Sequence, residues 1–233
     1  MVQSNEIKEI KPIPIRAKFY KVGMLQYISH LDLVRTMTRI LIRAGIPAWY
    51  SQGFNPRLKL TFSLPLSIGT QSECEFFDIR LTEPMEPEEI RKRINEALTG
   101  EMQVTEVYQS DRKFADIQWS EYEITMTSPK LSAQTADALR ELYTHPLVMT
   151  KHSKSGDKEV DIAPYIDLRE CSCSEGTLTI RALLSADSMN YLNPEYLVKA
   201  AATIGVTFDD PFTEHYEILR REVYLADKVT PFR

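Results

Sequence analysis

The 233-residue sequence has little cysteine and no long apolar run. Its three cysteines, Cys74, Cys171 and Cys173, are too few and too oddly spaced for a disulfide framework, and the C-x-C pair lacks the second ligand pair of a structural zinc site. No stretch reaches the roughly 18 consecutive apolar residues of a membrane span, and the start lacks the apolar core of a signal peptide. These absences predict a cytoplasmic protein with no metal and no membrane contact.

Motifs of self-sufficient catalysis are also missing. The sequence contains no C-x-x-x-C-x-x-C cluster motif, no G-x-x-x-x-G-K-[ST] phosphate loop and no G-x-S-x-G nucleophile elbow. We therefore expect no cofactor. The absences favour a binding or accessory protein over an autonomous redox or metal enzyme.

The composition and patterning predict two small α+β domains. Hydrophobic residues make up 43% of the chain and charged residues 26%, which is typical of globular proteins. Strand and helix patterns follow the order β-α-β-β-α-β twice, on either side of a polar connection at residues 109–118. We predict two tandem ferredoxin-like units with antiparallel sheets, at residues 1–110 and 118–233.

The predicted elements can be placed from periodicity, caps and turn residues. The first helix should begin after Ser29, bury Leu33, Met37, Ile40 and Leu41, and end at Ala44-Gly45. Residues 151–158 are expected to form a polar, basic hairpin or loop. The remaining predicted strands are 15–20, 48–50, 59–64, 74–81, 103–108, 122–127, 147–151, 160–168, 177–184 and 216–225, and the remaining helices are 84–98, 132–143 and 194–204.

Positive charge is concentrated near the start of the chain, although the net charge is −5. Residues 11–59 contain nine Lys and Arg but only one acidic residue, Asp32, whereas residues 81–233 contain 17 basic and 27 acidic residues. Such asymmetry indicates a site for a polyanion on an otherwise acidic protein. An ordinary solvated basic surface is the alternative.

Two groups of residues are candidates for function. His30 and Asp32, at the start of the first predicted helix, could act as an acid/base pair, although local capping is the more usual role of such residues. The loop YSQGFNP at residues 50–56 carries aromatic side chains that, with Trp49, could stack on bases. We expect the cations of the helix and the loop to lie on one face. The predicted RNA-binding residues are Lys21, Arg35, Arg39, Arg43, Tyr50, Gln52, Phe54, Asn55, Arg57 and Lys59.

The combination of the S-H-L-D helix start with Y-S-x-G-F-N-P resembles the radical SAM-associated bacterial protein family, and residues 158–166, KEVDIAPYI, are similar to its second half. The resemblance covers nearly the whole chain. It implies an accessory unit that accompanies, or is fused behind, a cobalamin-binding radical SAM protein, in a setting of RNA-processing genes. Many members have His or Lys after the loop proline. In this sequence Arg57 occupies that position. It retains the positive charge, but an arginine does not act as a proton donor near neutral pH.

These observations lead to three hypotheses. The first is an RNA-binding accessory protein that presents structured RNA, such as tRNA or rRNA, to a partner radical SAM enzyme. The second is an RNA-processing or base-modifying enzyme that uses His30 and Asp32, by analogy with RNA-cleaving endonucleases of similar fold. The third is a protein-interaction module that acts without RNA through the acidic second half.

Overall fold

A computed structural model describes residues 11–151 and 156–233. The chain divides into two compact units. Unit 1 contains the described residues up to Pro65 together with Glu75–Asp111, and unit 2 contains Leu66–Cys74 together with Arg112–Arg233. Both units combine helices with mostly antiparallel strands, which confirms the mixed α+β class. The sequence interpretation had placed residues 66–74 in the first domain.

Unit 1 contains a sheet whose strand order is β4-β1-β3-β2. The β1–β4 and β2–β3 pairs are antiparallel. Its elements are β1 (Ile13–Lys21), α1 (His30–Arg43), β2 (Thr61–Phe62), β3 (Thr70–Leu81), α2 (Pro87–Ala97) and β4 (Met102–Tyr108), with a short 3-10 helix at Gly23–Tyr27. The predicted order of strands and helices in this half is confirmed, although β2 is shorter than the predicted strand 59–64. The predicted strand 48–50 is wrong, because Ala48 and Tyr50 form only isolated bridges.

Helix α1 forms as its sequence predicts. Ser29 caps it, since the hydroxyl accepts the backbone N–H of Asp32 at 3.1 Å. The buried positions of the helix are Leu33, Met37, Ile40 and Leu41. The helix stops at Ala44 because the next residue, Gly45, has φ of +63°, a left-handed conformation that glycine adopts at little cost.

The core of unit 1 lies on one face of its sheet. Side chains alternate along a strand, so Phe77, Ile79 and Leu81 of β3 join the apolar core while Asp78 and Arg80 point the other way. The apolar residues of α1 and α2 belong to the same core. Both helices therefore cover one face of the sheet, and we call the opposite side the helix-free face.

Unit 2 has the strand order β10-β5-β9-β8, and every pair along it is antiparallel. The first residues of β3, Thr70–Ser72, pair in parallel with β10, which explains why this segment groups with unit 2. The elements are β5 (Trp119–Thr127), α3 (Ala133–Thr144), β6 (Val148–Lys151), β7 (Lys158–Asp161), β8 (Ile166–Ser174), β9 (Thr177–Ser185), α4 (Glu195–Ala202) and β10 (His215–Tyr224).

The region between β6 and β8 departs from the sequence prediction. The hairpin is confirmed, because Lys151 pairs with Lys158, while residues 152–155 lie outside the described residues. The predicted strand 160–168 is wrong. The Asp161 carboxylate accepts the backbone N–H groups of Leu147 and Ala163, which turns the chain, and a short 3-10 helix at Ala163–Tyr165 separates β7 from β8.

None of the helices in the described ranges, 11–151 and 156–233, is both long and apolar enough to cross a membrane.

The Ser29 cap should contribute measurably to folding. Ser29→Ala removes the acceptor for the Asp32 N–H and the hydroxyl that donates to its carboxylate at 2.7 Å. We expect the free energy of unfolding to fall by about 1 kcal/mol in denaturant titrations. Ser188→Ala is the control, since this serine is exposed. Equal stability of the two variants would contradict the assigned cap.

Candidate nucleic-acid interface

An aromatic residue lies between two cations at the edge of the unit 1 sheet. The backbone N–H of Trp49 donates to the carbonyl of Arg80 at 2.7 Å, and the carbonyl of Trp49 accepts the backbone N–H of Lys59 at 3.1 Å. Because these bonds join adjacent extended segments of the chain, the three residues are lateral neighbours. Their side chains share the helix-free face, since the alternate residues Ala48 and Leu60 pack against the core.

Trp49, Lys59 and Arg80 line an open cleft of about 460 Å³, together with Pro14, Thr61, Asp78 and Ile79. The guanidinium carbon of Arg80 lies 6.0 Å from the centroid of the Trp49 ring, a cation–π distance. Arg80 and Lys59 are exposed, and neither forms an ion pair within the described ranges. The volume falls within the range of small-ligand sites, roughly 300–1,000 Å³.

The one carboxylate in the cleft is held by a buried arginine. Arg16, only 3% exposed, donates from Nε to Oδ1 of Asp78 at 2.8 Å and from Nη2 to Oδ2 at 2.9 Å. It also donates to the hydroxyl of Ser110 at 2.9 Å. This fork offsets the charge of Asp78, so Lys59 and Arg80 give the cleft a positive balance.

The loop at residues 51–57 begins and ends beside the cleft. Its base is closed by the backbone N–H of Ser51 donating to the Arg57 carbonyl at 2.8 Å, and by the Arg57 N–H donating to the Ser51 hydroxyl at 3.0 Å. Gly53 has φ of +124°, which side chains rarely tolerate, and the Phe54 ring next to it is fully exposed. The predicted residues Tyr50, Gln52, Asn55 and Arg57 are exposed as well.

The arginines of α1 form a separate group. Arg35, Arg39 and Arg43 follow one another at intervals of four residues, so they share one surface of the helix, turned away from its buried positions. Arg35 pairs with Asp32 at 3.1 Å, whereas Arg39 and Arg43 are exposed and form no ion pair with any described residue.

The expectation that helix and loop cations lie on one face is wrong. The apolar residues of α1 pack on the covered face of the sheet, so its arginines lie on the far side of the helix layer. Lys59 and Arg80 project from the opposite, helix-free face. The sequence pattern of α1 shows which residues point outward but not which side of the sheet the helix covers.

Lys21 does not belong to either exposed group. It is only 2% exposed, and its ammonium donates to the carbonyl of Leu25 at 3.0 Å. The position of Lys21 in β1 therefore removes it from the surface available to a polyanion.

His30 and Asp32 are both exposed near the start of α1, but their side chains are directed to different partners. The His30 ring contacts Phe62 edge to face, with centroids 5.7 Å apart. Asp32 accepts hydrogen bonds from Ser29 and Arg35, which lower the pKa of its carboxyl. Within the described ranges, no hydrogen bond joins His30 to Asp32.

Two residues of the cleft, Asp78 and Arg80, were not among the predicted site residues. The signal was present in the sequence, because CEFFDIRL predicts a strand in which these two charged positions face away from Phe77, Ile79 and Leu81. The sequence pattern does not show that residues 49 and 59 lie beside this strand.

The Cys171 thiol of unit 2 is buried. Burial raises the pKa of the Cys171 thiol to about 11, so this residue remains protonated near neutral pH. Across the described ranges, no three His, Cys, Asp or Glu side chains are grouped as metal ligands would be.

Comparison with protein families identifies relatives of the sequence. Residues 14–194 match a family described as an uncharacterized protein conserved in bacteria (DUF2344). The chain belongs to this family. The match includes the whole cleft and the loop at residues 51–57, so the candidate interface lies within the family domain. None of the curated proteins matches the chain significantly.

Solved structures show only distant likeness. A chain of a Cbf5-Nop10-Gar1 complex shares 10% identity and a TM-score of 0.48, covering 92% of this chain and 50% of its own length. The protein described here therefore spans about half the length of the matching chain in that complex. An unknown protein from Galdieria sulphuraria shares 12% identity and a TM-score of 0.25, covering 90% of this chain and 99% of its own. The encapsulated DyP-type peroxidase from Mycobacterium smegmatis shares 9% identity and a TM-score of 0.19, covering 88% of each chain.

The Arg16–Asp78 pair should be important for the stability of unit 1. Asp78→Ala leaves the buried guanidinium of Arg16 without its carboxylate, and we expect a loss of about 2 kcal/mol in the free energy of unfolding. The loss is smaller than for a fully buried pair because Asp78 is 38% exposed. Glu83→Ala removes an exposed carboxylate and serves as the control. Unchanged denaturant midpoints in both variants would refute the role of this pair.

Proposed function

We propose that this protein is an RNA-binding accessory protein that presents structured RNA, such as tRNA or rRNA, to a cobalamin-binding radical SAM enzyme. The observation that carries the proposal is the cleft in which Trp49 lies between Arg80 and Lys59. Aromatic rings combined with cations that no protein carboxylate neutralises are the usual means of holding RNA, since rings stack on bases and cations attract phosphates.

The fold supports the same proposal. In both units the strand order corresponds to the fourth, first, third and second strands of a β-α-β-β-α-β unit, if the β6–β7 hairpin is regarded as an insertion. We interpret them as two tandem ferredoxin-like units. RNA-binding domains of this architecture use the sheet face that no helix covers, and the cleft lies on that face of unit 1.

The outer surface of α1 suits a different role. Beside Arg39 and Arg43 it exposes Leu31 and Ile42, and these two apolar side chains lie on the same stripe of the helix. It faces away from the cleft, so one partner could occupy each surface. We assign the α1 surface to the radical SAM enzyme, with an acidic and apolar patch on that enzyme as its counterpart.

The geometry gives less support to a catalytic role for His30 and Asp32. The Asp32 carboxylate is engaged by its helix cap and by Arg35, and the His30 ring packs against Phe62. Neither residue lines the cleft. A general base should instead lie within reach of a proton on a bound substrate.

RNA binding should depend on the cleft cations. Affinity for transfer RNA measured at several salt concentrations should fall as salt rises, and Lys59→Ala or Arg80→Ala should each reduce the slope of log K against log[salt] by about 1. The matched control is Arg39→Ala with Arg43→Ala, which removes two cations from the α1 surface. Absence of RNA binding by the wild-type protein would refute the proposal. If only the Arg39→Ala, Arg43→Ala control reduces the slope, the RNA binds the α1 surface and not the cleft.

Association with the enzyme should depend on α1. Ile42→Glu places a carboxylate in the exposed apolar stripe and should weaken binding to the radical SAM protein of the same bacterium at least tenfold, in calorimetry on ribonuclease-treated samples. Lys59→Ala, in the cleft, should leave this affinity unchanged. Equal affinity of the wild-type and Ile42→Glu proteins would show that the enzyme does not bind the α1 surface.

A further inference from the structure

The cleft of unit 1 suits a single unpaired nucleotide. Its volume of about 460 Å³ falls in the range of small-ligand sites. Trp49 lines the cleft and is only partly exposed, so a base can stack on its ring only after leaving its own stack. Unpaired bases do this at the lowest cost.

Two cations adjoin the Trp49 ring. The backbones of Arg80 and Lys59 are hydrogen-bonded to that of Trp49, at 2.7 and 3.1 Å, and their side chains line the same cleft. A nucleotide whose base stacks on Trp49 carries one phosphate on either side of its sugar. Lys59 and Arg80 can therefore each bind one of these phosphates.

Asp78 provides a hydrogen-bond acceptor close to Arg80. It lies two residues before Arg80 in β3, so the two side chains leave the same face of the strand about 7 Å apart. The Asp78 side chain is 38% exposed. Arg16 donates to both carboxylate oxygens from one side, and no other residue in the described part of the chain donates to them. The lone pairs that remain point away from Arg16 and diverge, so they suit one hydroxyl donor and not two adjacent N–H groups.

The ribose of RNA offers such a donor. Its 2′-hydroxyl is on the carbon next to the one that bears the 3′ phosphate, so a phosphate bound to Arg80 brings this hydroxyl within reach of Asp78. Acidic side chains accept the 2′-hydroxyl in the same way in dinucleotide sites. The 2′-hydroxyl is also the group by which a protein tells RNA from DNA.

Building on the proposed RNA-binding function, we propose that the cleft holds one unpaired nucleotide and recognises its ribose. Trp49 stacks on the base, and Lys59 and Arg80 bind the 5′ and 3′ phosphates. Asp78, held by Arg16, accepts the hydrogen bond of the 2′-hydroxyl and so distinguishes RNA from DNA. The recognised element is therefore a ribonucleotide in a loop, bulge or single-stranded end.

The test compares different sugars that carry the same base, with the full chain and three single-stranded hexamers. One hexamer contains uridine, one deoxyuridine and one 2′-fluoro-deoxyuridine, which keeps the sugar shape of RNA but has no hydroxyl to donate. Fluorescence anisotropy should show the uridine hexamer binding about tenfold more tightly than the other two, the size expected for one hydrogen bond to a charged group. Equal affinity for the uridine and 2′-fluoro hexamers would overturn the inference.

Variants then assign the hydrogen bond to Asp78. Asp78→Asn replaces the ionised acceptor by an amide and should reduce the tenfold preference for the uridine hexamer to about twofold or less. The matched control is Glu83→Gln, which removes an exposed carboxylate outside the cleft and should leave the preference unchanged. The ratio of affinities is the readout, because a lost negative charge strengthens the binding of all three hexamers alike. An unchanged ratio in Asp78→Asn would refute the assignment.

Stacking and pairing have separate tests. Trp49→Ala should weaken all three hexamers at least fivefold, because stacking does not depend on the sugar, while Phe212→Ala, which removes an exposed ring in unit 2, should have no effect. A blunt-ended RNA duplex at equal nucleotide concentration should displace the uridine hexamer at least tenfold less well than unlabelled hexamer does. Equal displacement would show that the bound nucleotide need not be unpaired and would overturn that part of the inference.

The outcomes separate this inference from the function on which it depends. If neither the hexamers nor transfer RNA bind, the proposed function itself fails. If transfer RNA binds with the expected salt dependence but the three hexamers bind equally, RNA binding stands and the ribose site is overturned. The comparison of sugars on the wild-type protein needs no variant, so it remains decisive even if Asp78→Asn folds poorly.

Discussion

The candidate interface depends on which face of the unit 1 sheet the two helices cover. Strand alternation directs Phe77, Ile79 and Leu81 into a core that α1 and α2 cover, and it directs Asp78 and Arg80 to the opposite face, which also carries the buried Phe76. The hydrophobic effect thus determines the location of the site indirectly, by determining which side of the sheet the helices occupy.

The site itself is built over a buried charge. Arg16 can remain almost fully buried because Asp78 and Ser110 satisfy its guanidinium, and the same contacts fix the carboxylate of Asp78 at the floor of the cleft. Lys59 and Arg80 have no such partner within the described ranges, so their charges remain available to a ligand. A cation paired with a carboxylate adds little to the local potential, so the unpaired Lys59 and Arg80 determine where the cleft is positive.

The basic residues of unit 1 are divided between two surfaces. The cleft carries an aromatic ring with two cations, and the α1 surface carries arginines beside exposed leucine and isoleucine. These are different chemistries on opposite sides of unit 1. His30 and Asp32 lie near one end of α1, and their observed contacts serve packing and helix capping.

The sequence by itself determined the order of the elements of unit 1, the cap and buried stripe of α1, and the excess of cations in residues 11–59, because these properties depend on local spacing and composition. Only the tertiary structure decided that Lys21 is buried, that the helix arginines lie away from the loop, and that Arg80 joins Trp49 and Lys59. Those facts depend on which face of the sheet the helix covers and on pairing between segments about 20 to 30 residues apart. Periodicity reports which side of an element is apolar, but it carries no information about which other element lies beside it.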